Sequence, residues 1–194
     1  MPRESLADRV YDHVYAALLD RRLRPGDALD RRRLARTLEV SAAPVLTALN
    51  RLENEGFLEI EPRRTTRIRV VDEEDVRDTM LVRTALECEA ARVYCGRPVR
   101  ENRHRLLRLA AEVDETRAGN RINWQAEIAF HRALVGLTGS EGFLREYDRV
   151  MRLGLFVILS TFGAPGAFPA DPTRRWHQDV VLRVETEDPA AAET

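Results

Sequence analysis

Two histidines and a glutamate in this sequence have the types and the spacing of metal ligands. Glu127 and His131 lie four residues apart, so they share one face of a predicted helix, where apolar positions surround them. His177 lies in the apolar stripe of a later predicted helix. Two histidines and a carboxylate that converge on a helical core can hold a divalent ion such as zinc. The alternative is that each group pairs within the core, since an ionisable side chain among apolar residues is costly without a partner.

The helices that must position these residues occupy the second part of the chain. Apolar periodicity near 3.6 predicts helices over about 72–95, 98–118, 121–137, 141–162 and 173–186. A segment rich in proline and glycine separates the last two helices, and no strand pattern follows residue 70. The region 73–194 is therefore predicted to be an all-α bundle.

The first 72 residues predict a different domain, a winged helix-turn-helix. The expected elements are helices over about 5–21, 31–38 and 42–54 and strands over 57–60 and 66–70. Asp30 and Ser41 are the predicted N-caps of the second and third helices. Such a module places its third helix in the major groove of DNA. The predicted fold class is thus mainly α, with a DNA-binding domain at 1–72 and a helical bundle at 73–194.

The outward face of the predicted third helix presents Ala43, Leu46, Thr47 and Asn50. Alanine, leucine and the threonine methyl can contact thymine methyls, and asparagine can form two hydrogen bonds with adenine. This face is compatible with an A·T-rich half-site. The alternative is a helix that has lost base recognition and keeps only phosphate contacts. The candidate arginines for such contacts are Arg32, Arg51, Arg63, Arg64 and Arg67.

Residues 5–70 resemble the GntR family of bacterial transcriptional regulators. The resemblance rests on Leu23-Arg-Pro-Gly-Asp, Asp30-Arg-Arg-Arg-Leu-Ala, Val40-Ser-Ala-Ala-Pro-Val and Leu49-Asn-Arg-Leu-Glu-Asn-Glu-Gly. It implies DNA contacts by Arg32, by the start of the third helix at Ser41 and by the wing at Arg64 and Thr65. The chain departs from the family pattern at Ala42 and Leu46, where the family usually has arginines that reach the operator. Thr65 likewise stands in place of a wing glycine.

Residues 75–194 more loosely resemble the FCD ligand-binding domain of the FadR subfamily of these regulators. The matching segments are Arg83-x-x-x-Glu87, Glu127-x-x-Phe-His131 and Trp176-His177. The resemblance implies a pocket in which an aspartate and three histidines hold a divalent metal and a small carboxylate metabolite binds. Arg83 and Glu87 are the effector-binding candidates, since an arginine is a natural carboxylate partner.

This chain differs from that ligand set in two respects. Glu127 stands where aspartate is usual, which keeps the ligand oxygen on a longer arm. The third histidine is expected beyond Thr194, and the final residues from Asp188 resemble the opening of one more helix. The bundle is therefore expected to be cut short at its C-terminus, and the metal site to rest on Glu127, His131 and His177.

Composition and charge exclude several classes of protein. The 194 residues are 44% hydrophobic and 32% charged, as in a globular protein with a core. The longest apolar run, 153–159, is far short of a membrane span, and the N-terminus has no secretory pattern, so a cytoplasmic protein is expected. Residues 1–72 carry an excess of two positive charges and the remainder an excess of three negative charges. Cys88 and Cys95 are roughly 10 Å apart on one predicted helix, too far for a mutual disulfide.

Together these features predict a metabolite-responsive transcriptional regulator that acts as a repressor. The protein is not expected to be an enzyme. Two chains would place two winged modules on a palindromic operator, and a small organic acid in the helical domain would change the affinity for DNA. An enzyme with a catalytic metal at Glu127, His131 and His177 is the first alternative, but it leaves the winged module unexplained. The second alternative is a ligand- or partner-binding module of the same fold without sequence-specific DNA recognition.

Overall fold

The computed structural model describes residues 5–60, 65–118, 123–162 and 175–192. The chain forms two compact units, which are Met1–Val76 with Leu155–Thr161, and Arg77–Gly154 with Phe162–Thr194. Among the described residues, no helix combines the length and the apolar character that crossing a membrane requires.

The first unit contains the winged helix-turn-helix that the sequence predicts. Its elements are α1 (Leu6–Leu19), β1 (Ala28–Leu29), α2 (Arg31–Thr37), α3 (Ala42–Asn54), β2 (Leu58–Ile60) and β3 (Thr66–Ile68). The strands form one antiparallel sheet in the order β1-β3-β2, with Leu58 opposite Ile68. Strand β1 was not predicted, because its two residues are too few to show an alternating pattern.

The caps of the helices in this unit differ from one another. Asp30 accepts hydrogen bonds from the backbone N–H groups of Arg32 (2.8 Å) and Arg33 (3.0 Å), which confirms it as the N-cap of α2. Ser5 and Asp8 form a reciprocal capping box at α1. Ser41 occupies the N-cap position of α3, but its side chain forms no capping hydrogen bond within the described structure. The predicted cap is thus right in position and wrong in its hydrogen bond.

The core of this unit forms where apolar stripes of α1 and α3 meet. Val10 and Val14 on α1 are fully buried, as are Leu49 and Leu52 on α3. Leu6, four residues before Val10 in the first turn of α1, is 49% exposed, so the buried stripe begins at Val10.

The remaining elements are helices, and no strand follows Ile68 in the described part of the chain. They are α4 (Glu73–Tyr94), α5 (Arg97–Ala118), α6 (Trp124–Gly136), α7 (Glu141–Phe162), α8 (Trp176–Arg183) and α9 (Pro189–Ala192). Within the second unit α5 packs against α6 and α8. Gly96 has φ +76, and its N–H donates to the Val184 carbonyl oxygen, so the chain turns sharply between α4 and α5. Pro98 lies in the first turn of α5, where its missing N–H removes no helical hydrogen bond.

The core of the second unit is apolar apart from a few polar side chains. Phe130 and Tyr147 are its largest fully buried members. Buried with them are Asp114, Glu127 and His177, which are 7%, 4% and 6% exposed. These polar groups lie on α5, α6 and α8, the three helices that pack together, and they form the basis of the candidate site.

Candidate metal centre and nucleic-acid interface

The three predicted metal ligands lie together inside the second unit. Helix α6 carries Glu127 and His131 on one face, and α8 brings His177 to them. The Nε2 atoms of His177 and His131 lie 3.4 and 3.7 Å from Glu127 Oε2. One ligand atom from each residue falls within 4.8 Å of the others. These separations exceed the usual hydrogen-bond range of about 2.7–3.2 Å.

Asp114 fixes the ring of His177. Its Oδ1 accepts from His177 Nδ1 at 2.7 Å and from the His177 backbone N–H at 3.2 Å, and its Oδ2 accepts from the Gln178 N–H at 3.2 Å. A side chain of α5 thus caps the first turn of α8. A carboxylate only accepts hydrogen bonds, so Asp114 favours the neutral tautomer with the proton on Nδ1, which leaves the lone pair on Nε2, the atom that faces Glu127.

Sequence reasoning missed Asp114, although the chain contains a signal for it. Leu106 and Ala110 lie eight and four residues before it on α5, and both are buried. Asp114 therefore occupies the next position of a core-facing row. A carboxylate at such a position requires a partner inside the fold, and His177 with the start of α8 provides one.

Glu87 fixes the ring of His131, as Asp114 fixes that of His177. Its Oε1 lies 3.1 Å from His131 Nδ1 and accepts from Arg83 Nε (2.9 Å) and from the Tyr147 hydroxyl (2.6 Å). Arg83 Nη2 lies 3.1 Å from His131 Nε2, on the side where Glu127 is. Both histidines therefore present Nδ1 to an outer carboxylate. Nε2 of His177 faces Glu127, whereas Nε2 of His131 lies nearer to Arg83 than to Glu127. Tyr147, which is fully buried, was not predicted from the sequence.

The electrostatics of this cluster follow from burial and from its opposite charges. Burial lowers the pKa of His131, but Glu127 and Glu87 outweigh it and raise that pKa above its ordinary 6.5. Burial raises the pKa of Glu87, yet His131 and Arg83 prevail and lower it to about 2. Burial likewise opposes the charge of Arg83, whereas Glu87 raises its pKa. The carboxylate of Glu87 and the guanidinium of Arg83 are therefore both charged at neutral pH.

The donor set fits a divalent ion. Two ligands bound at about 2.1 Å to one tetrahedral centre are about 3.4 Å apart, close to the observed separations of 3.4 and 3.7 Å. Outer carboxylates that hold the Nδ1–H of ligating histidines are the usual support of such sites. Glu127, His131 and His177 would hold the ion, and Asp114 and Glu87 would orient the two rings.

A cavity of about 440 Å³ adjoins this cluster. Its polar lining includes Glu87 and His131 on one side and Asp179 and Arg183 on α8. Arg83 is not among the residues that line this cavity, since its guanidinium lies against Glu87 and His131. Of the two predicted effector-binding residues, the structure therefore brings Glu87 to the cavity wall and leaves Arg83 behind it.

The outward face of α3 is uncharged at its centre. Ala43, Leu46, Thr47 and Asn50 are exposed, Leu46 by 47%. The hydroxyl of Thr47 donates to the Ala43 carbonyl oxygen at 3.1 Å. The structure thus gathers the four predicted base-facing residues on one surface.

Arg51 follows on the same helix but is directed toward α1. Its Nε donates to Glu55 (3.0 Å), its Nη1 to Asp8 (3.2 Å), and its guanidinium carbon lies 4.1 Å from the centroid of the Tyr11 ring. Tyr11 also donates a hydrogen bond to Glu55. Burial lowers the pKa of Arg51, but Glu55 outweighs it and raises that pKa. Arg51 therefore links α3 to α1.

The other candidate DNA-binding residues surround this surface. Arg32 on α2 and Ser41 at the start of α3 are exposed, and Thr65 is half-buried. Arg67 on β3 is exposed and donates to the Gly26 carbonyl oxygen at 3.2 Å. Arg63 and Arg64 lie outside the described residues.

Comparison with protein families matches both parts of the chain. The family described as bacterial regulatory proteins, gntR family, matches residues 6–68. The FCD domain matches residues 78–194.

Individual proteins similar to this chain are also named as transcriptional regulators. The Nta operon transcriptional regulator of Aminobacter aminovorans is 34% identical over 125 residues, which is 63% of this chain and 59% of that protein, less than two thirds of its length. The "Probable D-xylose utilization operon transcriptional repressor" of Paenarthrobacter nicotinovorans is 26% identical over the whole chain and 84% of its own length. A crystal structure described as a GntR transcriptional regulator from Rhodococcus sp. RHA1 shares the fold, with a TM-score of 0.75 at 22% identity over 96% of this chain and 89% of that one.

Proposed function

This chain belongs to the GntR family of bacterial regulatory proteins and carries an FCD domain, and from this premise we propose that it is a metabolite-responsive repressor. In this proposal, residues 1–72 bind an operator and residues 73–194 bind a small carboxylate metabolite. Binding of the metabolite changes the affinity for DNA, which couples the two sites. One relative, the Paenarthrobacter nicotinovorans protein, is named a repressor of a sugar utilization operon.

The observation that carries the proposal is the arrangement of Glu127, His131 and His177. Their ligand atoms lie within 4.8 Å of one another in a buried part of the second unit. A bound zinc or similar ion would supply a Lewis-acidic centre with open positions for a carboxylate oxygen. Asp114 and Glu87 would orient both histidine rings through their Nδ1 atoms. The guanidinium of Arg83, whose Nη2 lies 3.1 Å from His131 Nε2, would have to move aside for that nitrogen to bind the ion.

The adjoining cavity supports a small organic acid as the effector. His131 lines it, so a molecule in the cavity reaches the edge of the ligand cluster. Arg183 also lines the cavity and contributes positive charge to its wall. Arg83 and Glu87 would act on the effector indirectly, Arg83 by holding Glu87 and Glu87 by holding His131.

The DNA-binding arrangement we propose is a homodimer on a palindromic operator. A winged helix-turn-helix places one helix per protomer in a major groove, so two protomers contact two half-sites of opposite direction. Arg32, Ser41, Arg63, Arg64 and Thr65 are the residues we assign to the DNA backbone and the wing contacts. The homodimer itself is an assumption of this proposal and is tested separately by light scattering.

The decisive experiment is a titration of this chain onto DNA from its own promoter region, with a scrambled duplex of equal composition as the control. Each titration is repeated over a range of salt concentrations. A preference of about 10³ or more for the promoter duplex supports a sequence-specific regulator. Adding candidate dicarboxylic and hydroxycarboxylic acids with and without zinc then tests the effector, and a specific acid should weaken binding.

Equal and steeply salt-sensitive binding to both duplexes would contradict specific recognition, because phosphate contacts alone give that behaviour. It would favour the second alternative, a ligand- or partner-binding module of the same fold. A promoter preference that no acid and no metal alters would contradict the effector part alone. The two parts of the proposal therefore fail separately.

A further inference from the structure

We propose that α3 recognises thymine methyl groups through Leu46 and Thr47 and adenine through Asn50, so that each half-site is A·T-rich and receives no arginine–guanine contact from this helix. The proposal rests on the DNA-binding function proposed above and adds the base that the helix recognises. Four observations carry it: the absence of an available cation on α3, the exposed leucine, the engaged threonine hydroxyl and the position of the asparagine.

The first observation concerns the only cation of α3, a helix that the structure describes in full. Arg51 is that residue, and its guanidinium is held on three sides by Glu55, Asp8 and the Tyr11 ring. Guanine presents two acceptors, O6 and N7, in the major groove, and arginine is the side chain that most often pairs with both. To reach a guanine, Arg51 would have to leave all three partners. The helix therefore has no guanidinium ready for guanine.

The second observation is the exposed leucine at the centre of the face. Leu46 is 47% exposed, whereas Leu49 and Leu52 on the same helix are fully buried. In a major groove the group that best matches an aliphatic side chain is the C5-methyl of thymine. Against guanine the same leucine would cover O6 and N7 without offering a donor, and a buried acceptor without a partner is costly.

Thr47 strengthens this preference. Its hydroxyl proton is already donated to the Ala43 carbonyl oxygen at 3.1 Å. The hydroxyl cannot at the same time donate to an acceptor on a base, so the methyl group is the contact that Thr47 offers. Ala43, one turn earlier, is also exposed and can offer only a methyl group.

Asn50 supplies the hydrogen bonds that the rest of the face lacks. It is exposed, four residues after Leu46 and three after Thr47, so it lies on the same face one turn further along. Its amide offers one donor and one acceptor, the complement of N7 and N6–H₂ of adenine. A thymine contact by Leu46 beside an adenine contact by Asn50 defines a short A·T-rich core for each half-site.

The test removes the methyl groups without changing base pairing. The 194-residue chain first selects its preferred duplex from a randomised library. That duplex is then synthesised with deoxyuridine in place of thymine, one position at a time, and the affinity is measured by fluorescence anisotropy. We expect a loss of about fourfold for each contacted methyl, the effect of removing one buried apolar carbon, and no loss at uncontacted positions.

Two variants connect the effect to the proposed side chain. Leu46→Ala should weaken binding to the thymine duplex and leave binding to the deoxyuridine duplex nearly unchanged, so that the two losses are not additive. Leu182→Ala is the matched control, because Leu182 is similarly exposed, by 49%, but lies on α8. It should reduce affinity for neither duplex. Both substitutions keep good helix-forming residues, so folding is not at risk.

The outcomes distinguish a failure of methyl recognition from a failure of the proposed DNA-binding function. Selection of a G·C-rich site, or equal affinity for the thymine and deoxyuridine duplexes, overturns the methyl recognition while the regulator remains. Additive losses for Leu46→Ala and deoxyuridine would assign the methyl contact to another part of the protein. If no duplex is enriched from the library, sequence-specific DNA binding itself is wrong.

Discussion

The outward face of α3 and the interior of the second unit are both candidate binding sites, and they contain opposite kinds of side chain. The α3 face presents alanine, leucine, threonine and asparagine to solvent. The interior cluster brings Arg83, Glu87, Glu127, His131 and His177 together beside an apolar core. Base edges are recognised by apolar and hydrogen-bonding groups at an accessible surface, whereas a metal ion needs donors that the protein has already desolvated and oriented.

One motif occurs in both regions and has the same consequence in each. Arg51 and Arg83 were both predicted to contact a ligand, and each is hydrogen-bonded to a glutamate four residues later, Glu55 and Glu87. A glutamate at this spacing lies on the same helix face and within reach of the guanidinium. Both arginines therefore position other groups of their site. Arg51 holds α3 against α1, and Arg83 holds the carboxylate of Glu87.

The largest effect is expected at the metal ligands. Replacement of Glu127 removes the oxygen that both Nε2 atoms face, so Glu127→Ala should weaken zinc binding by more than about 100-fold, beyond the usual effect of an outer ligand. Zinc affinity is measured by competition with a chromophoric chelator. His104→Ala, which removes an exposed histidine from α5, is the control and should bind zinc normally. Unchanged zinc affinity in Glu127→Ala would show that the cluster is a paired polar core.

The outer carboxylate Asp114 should have the next largest effect. An asparagine at this position could donate its N–H to His177 Nδ1, which would move the ring proton to Nε2 and block the lone pair. We expect Asp114→Asn to weaken zinc binding by about 10- to 100-fold. Loss of thermal stability with unchanged zinc affinity would instead make Asp114 only a cap for α8. The two readouts, melting temperature and zinc competition, distinguish these roles.

Salt dependence distinguishes the arginines of the winged module. If Arg32 binds a phosphate, Arg32→Ala should reduce the slope of log K against log salt by about 0.9 for each phosphate that the protein no longer neutralises. Arg51→Ala should lower affinity equally at every salt concentration, because Arg51 is directed to Asp8, Glu55 and Tyr11 rather than to DNA. A reduced slope for Arg51→Ala would mean that this side chain leaves its partners and reaches the DNA backbone.

The sequence was sufficient for the helices and for the residues that share a helix face. Periodicity located the helices to within a few residues, and the i, i+4 spacing of Glu127 and His131 placed them on one face of α6. It was not sufficient for Asp114 and Tyr147, because their role depends on which helices become neighbours. Nor could it show that Arg51 is engaged, since Asp8 and Tyr11 come from α1, more than thirty residues away. Local sequence patterns predict which residues share a helix face. The contacts made between helices determine which of those side chains can still bind a ligand.

The smallest effect should come from two serines in the same position of two helices. Ser5 forms a capping box with Asp8, and we expect Ser5→Ala to lower the free energy of unfolding by about 1 kcal/mol. Ser41 occupies the N-cap of α3 without a capping hydrogen bond in the described structure, so Ser41→Ala should change stability by less than about 0.5 kcal/mol. If the exposed Ser41 hydroxyl instead serves DNA, the same variant should weaken operator binding. Chemical denaturation and anisotropy on the same two variants measure both effects. A stability loss in Ser41→Ala as large as that in Ser5→Ala would show that the Ser41 side chain does cap α3, contrary to its position in the structure.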